Sequence, residues 1–114
     1  MNSMKTDLVE IFQTIRATLQ PYAVLGFTNR NNTDELYDLW SEKNIVVDGT
    51  KRTETFFGSV SIESDHVLVR TGFEHKGFDG HAELQVSSLD EVLLNQIEEI
   101  FAIGYKTFKE NEWV

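Results

Sequence analysis

Two histidines and three carboxylates lie in the twelve residues "FEHKGFDGHAEL", Phe73 to Leu84. Imidazole and carboxylate groups bind zinc and similar ions, and they also transfer protons in catalysis. Alternation along neighbouring strands predicts that His66, Arg70, His81 and Glu83 point away from the core and share one sheet face. A metal site or an acid–base site on that face is therefore one hypothesis for the function.

The competing interpretation is a solvated sheet face joined by a polar turn. An outward sheet face is polar in any case, and the guanidinium of Arg70 would repel a cation. The sequence contains no HExxH pattern, no Gly-x-Ser-x-Gly elbow and no phosphate loop. We therefore predict no catalytic residues, no metal and no cofactor. A small metal-assisted or acid–base enzyme that uses the His/Glu/Arg cluster is the alternative.

Several aromatic residues are not placed inside by the residue pattern. Phe57 falls on the polar side of its strand, beside Leu68 of the next strand, and Trp40 lies in a segment of undecided structure. Apolar side chains among polar ones can form a ligand groove or a dimer patch. The other interpretation is a minor second core on a face that the helices leave uncovered.

Two amphipathic helices are predicted, one near each end of the chain. The first runs from an N-cap at Thr6 to a stop imposed by Pro21. Its apolar stripe is Leu8, Phe12, Ile15 and Leu19. The second begins at a capping box formed by Ser88 and Glu91. Its apolar stripe is Leu93, Ile97, Ile100, Phe101, Gly104, Tyr105 and Phe108.

Between the helices the apolar residues recur at every second position. The segments "TFFGSVSIE", "HVLVRTGF" and "HAELQVS" each predict a half-buried antiparallel strand. Asp48 and Gly49, between two short extended pieces, are typical of a two-residue hairpin turn. Residues 34–42, "DELYDLWSE", suit a helical turn as well as a strand, so the pattern leaves the orientation of Trp40 open.

These elements predict an α+β fold, in which an antiparallel sheet of about five strands is flanked by an N-terminal and a C-terminal helix in two layers. The length of 114 residues predicts a single domain, residues 1–114. A net charge of −9 without a basic stripe disfavours nucleic acid and anionic membranes as partners. No signal peptide or membrane span is recognisable and cysteine is absent, so we expect a cytoplasmic protein.

Two long segments resemble small bacterial domains of unknown function of the YdhG type. They are "LYDLWSEKNIVVDGTKRTETFFGSVSIESDHVLV" and "HAELQVSSLDEVLLNQIEEIFAIGYKTFKENEWV". The shared features are the "LWS-K" segment, the phenylalanine-rich strand before one that opens with "HV", and the final helix with its "GY…W" ending. The segment "RTGFEHKGFDGHAEL" departs from the pattern. The resemblance implies an α+β fold with an antiparallel sheet, and it implies no activity.

The function predicted from these observations is that of a non-enzymatic binding module. It would bind a small-molecule ligand or a protein partner and would self-associate as a homodimer, through the exposed sheet face or an edge strand. The predicted ligand or interface residues are Trp40, Phe57, Leu68, Arg70, His66, His81 and Glu83. The out-of-phase position of Phe57 and Leu68 carries this prediction.

Overall fold

The computed structural model describes residues 6–78 and 81–114 and confirms the α+β class. A four-stranded antiparallel sheet has the strand order β1-β4-β5-β6, and β2 and β3 form a separate two-stranded hairpin. The elements in chain order are helix α1 (Leu8–Leu19), a 3-10 helix (Gln20–Val24), strands β1 (Leu36–Ser41), β2 (Ile45–Val47), β3 (Thr50–Arg52), β4 (Thr55–Ile62), β5 (Val67–Thr71) and β6 (Glu83–Val86), and helix α2 (Glu91–Glu110). No helix in the described part of the chain is long and apolar enough to cross a membrane.

Both helices start later than the sequence predicts, because a carboxylate caps each of them. The cap of α1 is Asp7 rather than Thr6, and its side chain accepts hydrogen bonds from the backbone N–H groups of Val9 and Glu10. The cap of α2 is Asp90, two residues beyond Ser88, and it accepts from the N–H of Leu93 at 2.8 Å. A carboxylate at an N-cap also interacts favourably with the helix dipole.

The segment that the pattern left undecided is strand β1, at one side of the sheet. It pairs with β4 in antiparallel register, and the register shifts between Leu39 and Trp40. Leu39 lies opposite Gly58 whereas Trp40 lies opposite Phe56, so Phe57 is an extra residue on β4. Such a β-bulge inserts one residue and changes which side chains face each side of the sheet.

The bulge places Phe57 in the centre of the core, so the prediction that it lies on the polar side is wrong. Its side chain is fully buried and contacts five aromatic rings at centroid distances between 4.2 and 5.7 Å. Those rings belong to Tyr22, Phe27, Phe73, Phe101 and Phe108. A fully buried side chain cannot form part of a surface interface, so Phe57 is removed from the candidate site.

The strands divide their residues between two faces. The inner face packs against the helices and contributes Tyr37, Leu39, Phe57, Val60, Val67, Val69 and Val86 to a single core that also contains buried residues of α1 and α2. The opposite side, which we call the outer face, consists of Leu36, Asp38, Trp40, Phe56, Ser59, Ser61, Leu68, Arg70, Glu83 and Gln85. Because both helices share the core with the inner face, the outer face is the side turned away from them.

Candidate functional site

Two aromatic rings between two arginines form a row on the outer face, near the end of β1 and the start of β4, which we call the arginine–aromatic strip. The guanidinium carbon of Arg30 lies 4.4 Å from the ring centroid of Trp40. The rings of Trp40 and Phe56 are 5.1 Å apart, and the guanidinium carbon of Arg70 lies 5.9 Å from the ring centroid of Phe56. Guanidinium groups at these distances are attracted to the faces of aromatic rings.

Carboxylates hold the arginine at one end of the strip. Arg30 donates hydrogen bonds to Glu54 at 2.6 Å and to Glu42 at 2.9 Å. These bonds, led by the one to Glu54, raise the pKa of the Arg30 guanidinium above its ordinary value. Hydrogen bonds from Thr28 and Arg30 lower the pKa of Glu42. The strip therefore ends in a guanidinium that is ion-paired with two carboxylates.

The buried carboxylate of Asp38 fixes the position of Arg30 and Trp40. One oxygen accepts from the backbone N–H groups of Arg30 at 2.9 Å and Asn31 at 2.8 Å. The other accepts from Asn31 Nδ2 at 2.6 Å and from Trp40 Nε1 at 3.2 Å. Burial alone would raise the pKa of Asp38, but these hydrogen bonds outweigh it and lower the pKa.

Asp38 and Arg30 were missed by sequence reasoning, although both organise the outer face. The loop of Arg30 is held to the edge of β1 by isolated bridges between Thr28 and Trp40 and between Asn32 and Tyr37. A loop residue that reaches the sheet only through tertiary contacts leaves no periodic signal. The one available signal was a carboxylate between apolar residues in "LYDLW", which is unusual in a half-buried strand.

Four of the predicted site residues lie together on the outer face. Trp40 is in the strip, and Leu68 is half-buried opposite Ser61. Arg70 and Glu83 are cross-strand neighbours on β5 and β6, with Arg70 Nε 3.4 Å from Glu83 Oε1. Each of these two side chains is 54% exposed, so solvent weakens the ion pair.

The two predicted histidines lie at opposite ends of the β5–β6 pair. His66 precedes β5, and its Nδ1 is 2.7 Å from an oxygen of Asp65. His81 precedes β6, and the register of the two strands separates it from His66 by six residue positions, or about 20 Å. One zinc ion needs its ligands within about 2.1 Å. The His/Glu/Arg cluster therefore does not assemble around one ion, and no metal-ligand group is found in residues 6–78 and 81–114.

The neighbour of His81 is His75, which lies in the segment "FEHKGFDGHAEL" and belongs to the polar turn of the competing interpretation. The ring of His75 packs edge-on against Phe73 and Phe78, and its Nε2 is 3.0 Å from Thr71 Oγ1. Both histidines line a shallow depression of about 360 Å³. His75 is thus a packed residue at the margin of the core. Asp79 and Gly80 of the same predicted turn lie outside the described residues.

Comparison with protein-family models, with curated proteins and with solved structures finds no match to this chain. The resemblance to the YdhG type consequently stays a prediction. The function is therefore inferred from the surfaces that the fold creates, above all from the outer face.

Proposed function

We propose that the protein is a non-enzymatic interaction module and that a second copy of the chain binds to the outer face. The arginine–aromatic strip carries this proposal. Trp40, Phe56, Arg30 and Arg70 belong to the residue types that are enriched at protein interfaces and in their energetic hot spots. They lie side by side on the one sheet face that the helices do not use.

The charges around the strip favour a second copy as the partner. At one end Arg30 is paired with Glu42 and Glu54, and at the other Arg70 is paired with Glu83. A two-fold axis that runs across the strip brings the Arg30 end of one copy against the Arg70 end of the other, so that each arginine can meet carboxylates of the other copy. The charges of these paired groups nearly cancel. The net charge of −9 makes two copies repel each other, but salt screens this repulsion beyond about 8 Å.

The size of the outer face predicts a weak, reversible dimer. Four strands at about 4.8 Å spacing and about six residues at 3.3 Å give roughly 400 Å² per copy. The total of roughly 800 Å² is below that of stable complexes. We therefore expect association to be detectable only at high protein concentration.

Sedimentation velocity over a range of protein concentrations tests the proposal. The wild-type chain should show a concentration-dependent increase in sedimentation coefficient. Leu68→Ser, on the outer face, should shift this increase to higher concentration. Val92→Ser is the matched control, because Val92 is 62% exposed on α2 and lies away from the strip.

Either of two results would remove the basis of this function. One is a wild-type chain that stays monomeric at millimolar concentration. The other is a Leu68→Ser variant that associates as strongly as Val92→Ser, while circular dichroism shows both variants to be folded.

A further inference from the structure

The β2–β3 hairpin forms a separate unit, and we call residues 43–53, which comprise the hairpin and the residues next to it, the arm. Its strands pair with each other and not with the main sheet. Asp48 and Gly49 have positive φ angles of 50° and 80°, as the predicted hairpin turn requires. A lone two-stranded hairpin is marginally stable in water, so packing against another surface would stabilise the arm.

One side of the arm combines an apolar and a basic residue. Val46 and Lys51 are directly opposite each other on β2 and β3, so their side chains share one face of the hairpin. Val46 is 62% exposed, whereas its neighbour Ile45 on the other side is buried. Lys51 is exposed, and no ion pair joins it to any other described residue.

The arm is basic in an acidic protein. Residues 43–53 contain three cations and one carboxylate, while the remainder of the chain has 18 acidic and seven basic residues. Lys51 and Arg52 are also the only adjacent pair of basic residues in the sequence. An acidic surface is therefore the electrostatic complement of the arm, and the rest of this chain provides one.

The groove between the helices offers an apolar floor and an acidic rim. It has a volume of about 690 Å³, and Ala17, Leu94, Ala102 and Tyr22 are among its lining residues. Glu98 and Glu99 are exposed at the same groove, and neither is in an ion pair within the described residues. Burial, and after it the charge of Glu98, raises the pKa of the Tyr22 hydroxyl, so that hydroxyl stays neutral.

We propose that the arm of one copy docks into the α1–α2 groove of a second copy, with Val46 on the apolar floor and Lys51 beside Glu98 and Glu99. This contact rests on the self-association proposed above and adds a second interface to it. Arm and groove are different surfaces, so the contact is heterologous. The result is a closed dimer if two copies exchange arms. If the arm of each copy binds the next copy, the result is an open chain of copies.

Charge reversal tests the docking by sedimentation velocity at low ionic strength. Lys51→Glu and Glu98→Lys change the net charge in opposite directions. Long-range repulsion would therefore make Glu98→Lys associate more strongly than the wild type, whereas docking makes both variants associate more weakly. We expect each to weaken association about tenfold. An equimolar mixture of the two should recover most of the loss, because the reversed arm then meets the reversed groove and the unaltered arm meets the unaltered groove.

Lys109→Glu is the control, since it changes the net charge as Lys51→Glu does at an exposed position outside arm and groove. The arm contact is overturned if Lys51→Glu associates as strongly as Lys109→Glu, or if Glu98→Lys associates more strongly than the wild type. If the wild-type chain associates and Leu68→Ser abolishes this while Lys51→Glu has no effect, only the arm contact fails. A wild-type monomer at all concentrations removes both proposals.

Discussion

The inner and outer faces of the sheet come from alternate residues of the same strands, yet different interactions stabilise them. On the inner face, Phe57 is surrounded by other aromatic rings and is fully buried. On the outer face, its neighbour Phe56 lies between Trp40 and the guanidinium of Arg70. The inner face is thus buried against the protein's own helices. The outer face lies away from both helices and is covered in part by the loop of Arg30, and its charged side chains can exchange partners, which is why we propose binding there.

The largest difference between the faces should appear when the two neighbouring phenylalanines are truncated. Phe57→Ala leaves a cavity in the centre of the core and should lower the free energy of unfolding by about 3–5 kcal/mol. Phe56→Ala removes a half-exposed ring and should cost about 1–2 kcal/mol. Urea denaturation measures both values. Equal losses would show that the bulge does not divide the two rings between the faces.

The packing of the inner face can also be tested by adding atoms instead of removing them, with a methyl group at Gly58 beside the bulge. A Cβ at Gly58 would overlap the ring of Phe101 and would lie 3.2 Å from the carbonyl oxygen of Arg70. Gly58→Ala should therefore destabilise the fold by about 1–3 kcal/mol through overpacking. The smaller side chain of Phe101→Leu should recover part of this loss in the double variant. Simple additivity of the two losses would contradict the close approach of α2 to β4.

A smaller effect is expected when the outer face loses the carboxylate that orders it. In Asp38→Asn the new NH₂ group can face the N–H donors of Asn31 and Trp40, so donors meet donors. We expect a loss of about 1–2 kcal/mol in the free energy of unfolding. Asp34→Asn, at an exposed position, is the control. If Asp38→Asn leaves the free energy of unfolding unchanged, these hydrogen bonds do not hold the strip.

The pH dependence of stability sharpens the same point. The pKa of Asp38 is lower in the folded chain than the usual value of about 3.9. Its contribution to stability is therefore complete above that value and is lost as the pH falls through the lower, folded-state pKa. Between about pH 5 and pH 2, the wild type should lose more stability than Asp38→Asn. Parallel curves for the two proteins would contradict the lowered pKa.

The sequence predicts most of the elements, because regular periodicity specifies them. Alternation correctly located β4, β5 and β6, and helical spacing located α1 and α2. It failed at Phe57, because a rule of strict alternation has no place for an inserted residue, and one bulge turns Phe57 to the inner face and Phe56 to the outer face. The start of each helix was misplaced for a related reason, since a carboxylate one or two residues further along provides the cap, and the periodic pattern does not show which polar residue does so.

The candidate site was only half predictable. Leu68, Arg70 and Glu83 follow from strand alternation, and the structure places them on the outer face. The position of Arg30 over Trp40 depends on a loop held by Asp38, and the separation of His66 from His81 depends on the strand register. Neither contact distances across a loop nor registers between strands are encoded in the local pattern.

The most direct test of the interface on the outer face is a concentration series of amide chemical shifts by NMR. Self-association through the outer face predicts that the largest shifts occur at Leu68, Arg70 and the indole N–H of Trp40. The amide of Val92, on the exposed side of α2, should not move. If the outer-face signals stay constant while the chain associates, or if no signal moves up to millimolar concentration, the outer face is not the interface.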